Sequence, residues 1–345
     1  MFKKKITMEK TINTYVKTYP DLMAGRKIMY VHGFGSSGQS GTVTRLREML
    51  SGAEVIAPDL PIHPAEAMTL LRGLCRDEQT DLIIGTSMGG MYAEMLTGYD
   101  RILLNPAFRI GDDILKNNML GKVTFYSPRS DGMTEFMMTK QLQAEYQDIA
   151  TQCFADTGEE EQRRVWGLFG LEDPVVHTRD LFAEHYRNVL DFHGEHRMND
   201  TVLMHSVLPV VRWIDDRQSG RQRSIVYISI EGTMMGRDDR PMPSLLKAYR
   251  LLLESYDVYV VAAAPTNDTG YARRMQEWTF ETLGVAAYNR LILTNRKDLL
   301  YGDYLIDGLT DNASRDFMST RIDFGSDAFK TWDDIIEYFS RLGGQ

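Results

Sequence analysis

The chain is poor in cysteine, carries no excess of positive charge and contains no long apolar run. Its 345 residues include two cysteines, Cys75 and Cys153, which are too few and too far apart for a disulfide framework or a zinc cluster. This cysteine usage predicts a reducing, cytoplasmic setting. The formal net charge of −9 argues against a protein that binds nucleic acid through its phosphates.

No apolar run approaches the length of a membrane span, so we expect no membrane-spanning segment. The basic start, Met1–Lys5, is similar to the first part of a signal peptide, but Thr7, Glu9 and Lys10 interrupt the apolar core that should follow. With 43% hydrophobic and 25% charged residues, the composition is that of a globular protein. The length predicts two domains.

Ser87 lies in the motif Gly85-Thr86-Ser87-Met88-Gly89, between the apolar run Asp81–Ile84 and a helix-like segment that ends near Leu96. Strand, G-x-S-x-G and helix in this order are typical of the nucleophile elbow of α/β-hydrolases. The glycines leave room around a serine that stands on a strained turn with its hydroxyl exposed. The sequence therefore predicts Ser87 as a nucleophile.

Short apolar runs alternate with helical segments from Lys27 onward, which predicts a parallel, doubly wound sheet with helices on both faces. Ligands in such sheets bind outside the carboxyl ends of the strands, where His32, Ser87 and Asn105 fall. The predicted strands of this region are Lys27–Val31, Ala53–Ala57, Asp81–Ile84, Arg101–Leu104, Val165–Gly170 and Val189–Phe192.

Two segments interrupt this alternation. Residues 107–165 are rich in methionine and polar helix formers. They predict a helical insertion that either covers the site as a lid or packs without a gating role. The charged segment 216–223 predicts a linker. We therefore expect a first domain over residues 25–215 and a second α/β domain over residues 224–345.

Hydrolases with this elbow order their other catalytic residues as an acid and then a histidine. Asp173 follows the fifth predicted strand and is the leading acid, with Glu172 as the alternative; either carboxylate could instead cap the next helix. His196 follows the sixth predicted strand and is the leading base. His193 is its nearest competitor, and His177 lies too close to the acid.

In the expected mechanism, His196 takes the Ser87 proton as the hydroxyl oxygen attacks an acyl carbonyl, and Asp173 orients the imidazole. The backbone N–H groups of Phe34 and Met88 are expected to stabilise the oxyanion. The residues expected to support the loop that carries Phe34 are His32, Gly33 and Gly35.

Four motifs of the first region form a specific set: His32–Ser37, Gly85–Gly90, Leu104–Ala107 and Gly194–Arg197. With them, residues 27–215 resemble the small bacterial esterases of the YqiA type. The resemblance implies esterase or thioesterase activity on a small acyl substrate, without a cofactor. The segment before Val165 is longer than in those compact esterases, which leaves the substrate preference open.

The second region carries its own motifs: Tyr256–Tyr259, Ala264-Pro265, Arg290–Thr294, Lys297, Gly302–Asp307 and Phe324-Gly325. With them, residues 224–345 resemble the cytosolic 5′(3′)-deoxyribonucleotidase group of the haloacid-dehalogenase-like phosphatases. The resemblance implies a Rossmann-like domain. It also implies an aspartate nucleophile after the first strand and a second aspartate two residues on.

At these positions the chain departs from the family. Ser229 stands where the nucleophile should be, and serine cannot serve as both nucleophile and magnesium ligand. The phosphate-contacting hydroxyl is replaced by Ala262 or Ala263, and one late carboxylate by Gly308. We therefore expect an inactive phosphatase, in which only Glu231 and Asp307 would remain for a residual Mg²⁺. The degenerate site consists of Ser229, Glu231, Thr233, Lys297 and Asp307.

The sequence as a whole predicts a two-domain α/β protein, an α/β-hydrolase with a helical insertion followed by a haloacid-dehalogenase-like Rossmannoid domain. The second domain would serve binding, regulation or homodimerisation, with a nucleotide or phosphate group as its candidate ligand. Two alternatives stay open. One is a non-catalytic binding or regulatory protein, and the other is a magnesium-dependent nucleotide phosphatase.

Overall fold

The computed structural model describes residues 17–342, so the basic start Met1–Lys5 lies outside the described residues. The chain divides into two compact units, Met1–Asp215 and Asp216–Gln345. Within residues 17–342, no helix combines the length and the apolar character needed to cross a membrane.

The first unit is built on a six-stranded parallel sheet. Its strands in chain order, including a separate hairpin of β5 and β6, are β1 (Lys27–Val31), β2 (Glu54–Ile56), β3 (Leu82–Thr86), β4 (Asp100–Leu104), β5 (Gly121–Thr124), β6 (Glu135–Met138), β7 (Val165–Gly170) and β8 (Val189–Phe192). The order in the sheet is β2-β1-β3-β4-β7-β8. The central strands β3 and β4 are almost entirely buried, as expected for a parallel sheet covered on both faces.

Helices follow most of these strands. They are α1 (Gly41–Met49), α2 (Pro64–Asp77), α3 (Met88–Glu94), α4 (Ile110–Lys116), α5 (Lys140–Ala150), α6 (Glu159–Arg164), α7 (Arg179–Ala183), α8 (Asp200–Val202) and α9 (Leu208–Ser219), with a π-helical turn at Leu203–Val207 before α9. In α2, Pro64 occupies the first turn, where its missing N–H costs no hydrogen bond. Ala67, Leu71 and Cys75 recur at helical spacing and pack into the core of the unit.

Residues 107–165 differ from the predicted helical insertion. Helices α4, α5 and α6 are present, but residues 121–138 form an antiparallel hairpin of β5 and β6. Burial alternates along Gly121–Thr124 with the two-residue period of a strand. The methionines suggested a helical period, but Met137 is exposed and Met138 is buried, as neighbours on a strand are.

The segment predicted as a linker, residues 216–223, is helical in its first half, and the division between the two units falls at its start. Helix α9 continues to Ser219, and Asp215 is the last of its buried residues. The charges that suggested a loop are paired, since Arg223 donates to Asp216 at 2.6 Å and 2.9 Å. The irregular connection is confined to residues 220–224.

The second unit contains a five-stranded parallel sheet. Its elements are β9 (Ile225–Ser229), α10 (Leu245–Ser255), β10 (Asp257–Ala262), α11 (Tyr271–Leu283), β11 (Leu291–Leu293), β12 (Tyr304–Asp307), β13 (Thr320–Asp323) and α12 (Trp332–Leu342). The order β11-β10-β9-β12-β13 is doubly wound. Helix α12 buries Trp332, Ile335 and Phe339 on one stripe. The predicted α/β class with parallel sheets is therefore confirmed.

Candidate active site

Ser87 lies between β3 and α3, at the carboxyl edge of the first sheet. Its φ of +55° falls in the left-handed region, which residues with a side chain rarely adopt. Close packing explains the two glycines of the turn. A Cβ on Gly85 would overlap the carbonyl oxygen of Gly89, and a Cβ on Gly89 would overlap that of Val31. The strained turn thus holds a half-exposed serine.

His196 and Asp173 meet at the same edge. The distance between His196 Nδ1 and Asp173 Oδ2 is 2.8 Å. Asp173 follows β7 and His196 follows β8, which are neighbours in the sheet. Because Nδ1 donates to the carboxylate, Nε2 is the ring nitrogen left to act as a base. No hydrogen bond joins Ser87 to His196 within residues 17–342, a separation that is common in enzymes without substrate.

The Asp173 carboxylate is held in its charged form. Its side chain is only 2% exposed, and burial by itself would raise its pKa. The hydrogen bond from His196 and those from the N–H groups of Val175 and Val176 outweigh burial and lower the pKa below its ordinary value. Asp173 therefore stays ionised at any pH near neutrality and can stabilise an imidazolium.

The competing pair, Glu172 and His193, lies on the surface. His193 Nδ1 is 3.3 Å from Glu172 Oε1, and both side chains are about half exposed, at 49% and 52%. Glu172 also accepts a hydrogen bond from the N–H of Gly194, which is the largest cause of its lowered pKa. Glu172 therefore fastens the loop that carries His196. The third candidate base, His177, has an exposed side chain between β7 and α7.

The loop after β1 packs directly against the nucleophile. A Cβ on Gly33 would lie 3.2 Å from the Ser87 Cβ, which is closer than side chains normally approach. The N–H of Phe34 has no acceptor within residues 17–342. Met88 begins α3, and the first N–H groups of a helix lack intrahelical acceptors. Among the described residues, neither predicted oxyanion donor is hydrogen-bonded to the chain itself.

The buried imidazole of His32 holds this loop by hydrogen bonds. It is 2% exposed, and burial lowers the pKa of its imidazole, so the ring is neutral. Nε2 accepts a hydrogen bond from the N–H of Leu60 at 3.2 Å, which leaves the proton on Nδ1 to bind the Gly33 carbonyl at 2.9 Å. Both ring nitrogens are thus used in bracing the loop.

The inserted hairpin is fastened to the same loop. The N–H of Tyr126 donates to the Gly35 carbonyl at 2.8 Å, and Ser37 Oγ donates to the Pro128 carbonyl at 2.7 Å. Gly35 has φ +68°, and the Tyr126 ring occupies the space where a Cβ would be. The hairpin tip therefore acts as a brace for the oxyanion loop.

Asp59, just after β2, completes this brace and was missed in the sequence. Its carboxylate accepts from Gly38 N at 2.8 Å and from Ser130 N and Ser130 Oγ at 2.6 Å and 2.5 Å. It therefore bridges the oxyanion loop and the hairpin. The available signal was the one that identified Asp173, a carboxylate after a predicted strand, but no motif contained Asp59.

The carboxyl edge of the second sheet is organised differently. Ile306 pairs with Ile228, so the register places Asp307 beside Ser229. Lys297 Nζ is 2.8 Å from Asp307 Oδ2, and these two side chains are 3% and 0% exposed. Ser229 is 1% exposed, and its hydroxyl has no hydrogen-bond partner within the described part of the chain.

Two further predicted residues of this edge are Thr233 and Glu231. Thr233 is fully buried, and its hydroxyl oxygen accepts from the N–H of Gly308 at 2.8 Å. Glu231 is half-buried, and burial raises the pKa of its carboxyl. Its charged form is therefore disfavoured.

These residues do not fit a magnesium ion. Asp307 already has the Lys297 ammonium as its counter-ion. A side chain at position 308 has no room, because a Cβ on Gly308 would overlap the Gly232 carbonyl oxygen. Within residues 17–342, no group of three or more His, Cys, Asp or Glu side chains is arranged to hold a metal. Magnesium needs several oxygen ligands in octahedral geometry.

Comparison with known proteins gives a relative for part of the chain. A candidate 5′(3′)-deoxyribonucleotidase of Vibrio phage KVP40 is 36% identical over 101 residues, which are 29% of this chain and 59% of that protein. The chain thus spans about three-fifths of the length of this relative.

Two solved structures resemble the chain at low identity. Est1E from Butyrivibrio proteoclasticus is 14% identical with a TM-score of 0.38, over 57% of this chain and 88% of that one. An extracellular α/β-hydrolase from a Paenibacillus species is 13% identical with a TM-score of 0.35, over 56% and 98%. Likenesses this weak establish no function.

Residues 27–207 match the family described as "Uncharacterised protein family (UPF0227)". The match covers more than half of the 345 residues and includes the elbow, the acid and the histidine. This match confirms the resemblance predicted for the first region, the phage relative confirms that of the second, and the chain belongs to the UPF0227 family.

Proposed function

We propose that the first unit is a serine hydrolase that cleaves acyl esters or thioesters through Ser87, His196 and Asp173. The observation that carries the proposal is the 2.8 Å contact between His196 and the buried Asp173, at the sheet edge that presents Ser87. A nucleophile on a strained turn beside a carboxylate-oriented imidazole is the arrangement that activates serine in acyl transfer.

In the proposed reaction, His196 Nε2 removes the hydroxyl proton of Ser87 as Oγ forms a bond to the acyl carbonyl carbon. The carbonyl electron pair moves to oxygen, where the N–H groups of Phe34 and Met88 stabilise the negative charge. When the tetrahedral intermediate collapses, the bond to the alcohol or thiol breaks and the imidazolium returns the proton to it. Water then hydrolyses the acyl-enzyme by the same steps.

Aromatic side chains next to the oxyanion loop favour an apolar acyl group. The Phe34 ring packs edge-on against Phe136 at 5.7 Å and Tyr146 at 6.2 Å between ring centres. Phe136 belongs to the inserted hairpin, and Tyr146 to α5. The insertion thus supplies an apolar wall close to the expected oxyanion donors, which is typical of small-molecule sites.

Hydrolysis of a p-nitrophenyl ester series from acetate to palmitate, with Ser87→Ala as the background, tests the proposal. Acid quenching followed by peptide mass spectrometry should find the acyl group on the peptide that contains Ser87. Equal rates in the wild type and Ser87→Ala, or an acyl group on another residue, would contradict the assignment. The dependence of the rate on acyl length shows how long an acyl chain the site accommodates.

For the second unit, the proposed role is non-catalytic, either structural or regulatory. The buried Lys297–Asp307 pair and the buried Ser229, whose hydroxyl has no partner among the described residues, support this role, because neither offers a nucleophile for phosphate. Phosphate release from nucleoside monophosphates, measured with and without MgCl₂, is expected to equal the release measured in buffer without the protein. Release that depends on MgCl₂ would favour the phosphatase alternative instead.

A further inference from the structure

We infer that Asn105 is a positioning residue for the catalytic acid and base, an inference that rests on the proposed triad. Asn105 follows β4, which lies between β3 and β7 in the sheet. The side chain is only 2% exposed, and the backbone has φ +45°. Asparagine is one of the few residues that tolerate this left-handed conformation.

The amide of Asn105 binds the loops of both catalytic partners. Its nitrogen donates to the carbonyl oxygens of Glu195 and His196, each at 3.2 Å. Its oxygen accepts from the N–H of Gly170 at 2.8 Å. Two carbonyls and one N–H fix the orientation of the amide, because only its nitrogen can donate. Gly170 ends β7, three residues before Asp173, so one side chain joins the two loops.

The backbone around Asn105 is also bonded to the nucleophile elbow. The N–H of Ser87 donates to the Leu104 carbonyl at 3.0 Å, and the N–H of Ala107 donates to the Ser87 carbonyl at 3.0 Å. The turn 104–107 therefore contacts the nucleophile, acid and base segments together. The Asn105 side chain hydrogen-bonds to both loops from within that turn.

The role matters because the His196 main chain needs a fixed support. Asp173 is held by its own bonds from Val175 and Val176. The carbonyls of Glu195 and His196 lose a buried donor when the amide is removed, and the loop can then move away from Asp173. A displacement of about 1 Å at a catalytic group can cost about 10²-fold in rate.

A matched pair of variants tests the inference. Asn105→Gly keeps the left-handed backbone and removes only the side chain. Asn188→Gly is the control, because Asn188 likewise donates to two carbonyls, those of Gln162 at 2.9 Å and Val165 at 3.1 Å. Those bonds lie at the opposite edge of the sheet, before β7 and β8. Both variants are expected to lose similar stability in urea.

Only Asn105→Gly is expected to change catalysis. We expect its kcat for a p-nitrophenyl ester to fall about 10²-fold, with KM within about threefold of the wild type. The low-field proton resonance of the His196–Asp173 hydrogen bond should disappear in Asn105→Gly and remain in Asn188→Gly. A residue that merely stabilises the fold would move neither readout.

The outcomes separate this inference from the proposed function. If Ser87→Ala is inactive but Asn105→Gly keeps its kcat and its low-field resonance, the positioning role is overturned and the triad stands. If the wild type hydrolyses no ester, the proposed function fails, and the resonance alone decides the role of Asn105. Should Asn105→Gly not fold, Asn105→Asp replaces it, since a carboxylate has no donor for the two carbonyls.

Discussion

At the carboxyl edge of the first sheet, His196 and Asp173 pair at 2.8 Å, and the Ser87 hydroxyl has no hydrogen bond within residues 17–342. At the carboxyl edge of the second, Lys297 and Asp307 also pair at 2.8 Å, but they neutralise each other inside the core. Both edges belong to parallel sheets, and each carries a buried carboxylate with a partner side chain at 2.8 Å. What differs is whether a reactive atom faces outward, which is why chemistry has to be argued from the site and not from the fold.

The serines at the two edges, Ser87 and Ser229, differ in the same way. Ser87 stands beyond β3 on a backbone of φ +55° and is half-exposed. Ser229 is the last residue of β9, 1% exposed and without a hydrogen-bond partner among the described residues. One serine is lifted out of its strand by a strained turn, and the other remains within the sheet. A serine at a strand end is therefore not by itself a nucleophile.

The largest expected effect comes from exchanging these serines for alanine one at a time. Ser87→Ala should lower kcat for ester hydrolysis by up to about 10⁶-fold, because the bond-forming oxygen is lost. Ser229→Ala should leave that rate unchanged and be close to neutral in stability, since the hydroxyl it removes is buried without a partner. Steady-state rates and urea unfolding measure both. A loss of esterase activity in Ser229→Ala would contradict the prediction that only Ser87 is needed for ester hydrolysis.

Much of this difference was accessible from the sequence, because the decisive residues lie in local patterns. The order Ser87, Asp173, His196 and the strand before each of them predict one common sheet edge, where Asp173 and His196 are in contact. Ser229 in place of an aspartate predicted the decay of the second site. For the first site a strand end and a residue type carry the prediction, whereas for the second the missing aspartate is inferred from the family resemblance.

Other features depended on contacts distant in sequence, which no local pattern encodes. Asp59 and Ser130 are 71 positions apart, and Asn105 reaches His196 across 91. The hairpin at residues 121–138 was mistaken for helix because its methionines also fit a helical period. Helix α9 was cut short because a run of charges looked like a loop, although Arg223 and Asp216 satisfy each other.

The second prediction separates the buried acid from its exposed neighbour. Asp173→Asn should lower kcat by about 10⁴-fold, because the amide no longer selects the tautomer with the proton on Nδ1. Glu172→Gln is the matched control and should change kcat only a few-fold, since its carboxylate fastens the loop from the surface. Rates with a p-nitrophenyl ester measure both effects. Equal losses in the two variants would show that the acid has been misassigned.

The third prediction concerns the ion pair of the second edge. Lys297→Met leaves Asp307 buried without its counter-ion and should cost about 3–5 kcal/mol of unfolding free energy. The double variant Lys297→Met/Asp307→Asn removes both charges and should recover much of this loss. Urea unfolding followed by fluorescence measures the difference. A fully stable single variant would mean that water, and not Lys297, compensates the Asp307 charge.

The smallest effect is expected from the brace behind the first edge. Asp59→Asn weakens the hydrogen bonds to Gly38 and Ser130, so the loop that carries the Phe34 N–H is held less firmly. Removing an oxyanion donor outright costs about 10²–10³-fold, and a loosened donor should cost less, about tenfold in kcat. The control is Asp191→Asn, whose carboxylate accepts from Arg179 at 2.6 Å and 2.7 Å elsewhere in the unit.

The pH dependence of this last effect distinguishes a brace from a catalytic acid. Burial would raise the pKa of Asp59, but the hydrogen bonds from Ser130 and Gly38 lower it below the ordinary value of 3.8. A carboxyl with a lowered pKa contributes fully above its unfolded-state value, and its contribution is lost as the pH falls through the folded-state value. The ratio of wild-type to Asp59→Asn rates should therefore be constant from about pH 5 to about pH 8. A ratio that changed within this window would mean that Asp59 gains or loses a proton during turnover, so that the brace itself takes part in the chemistry.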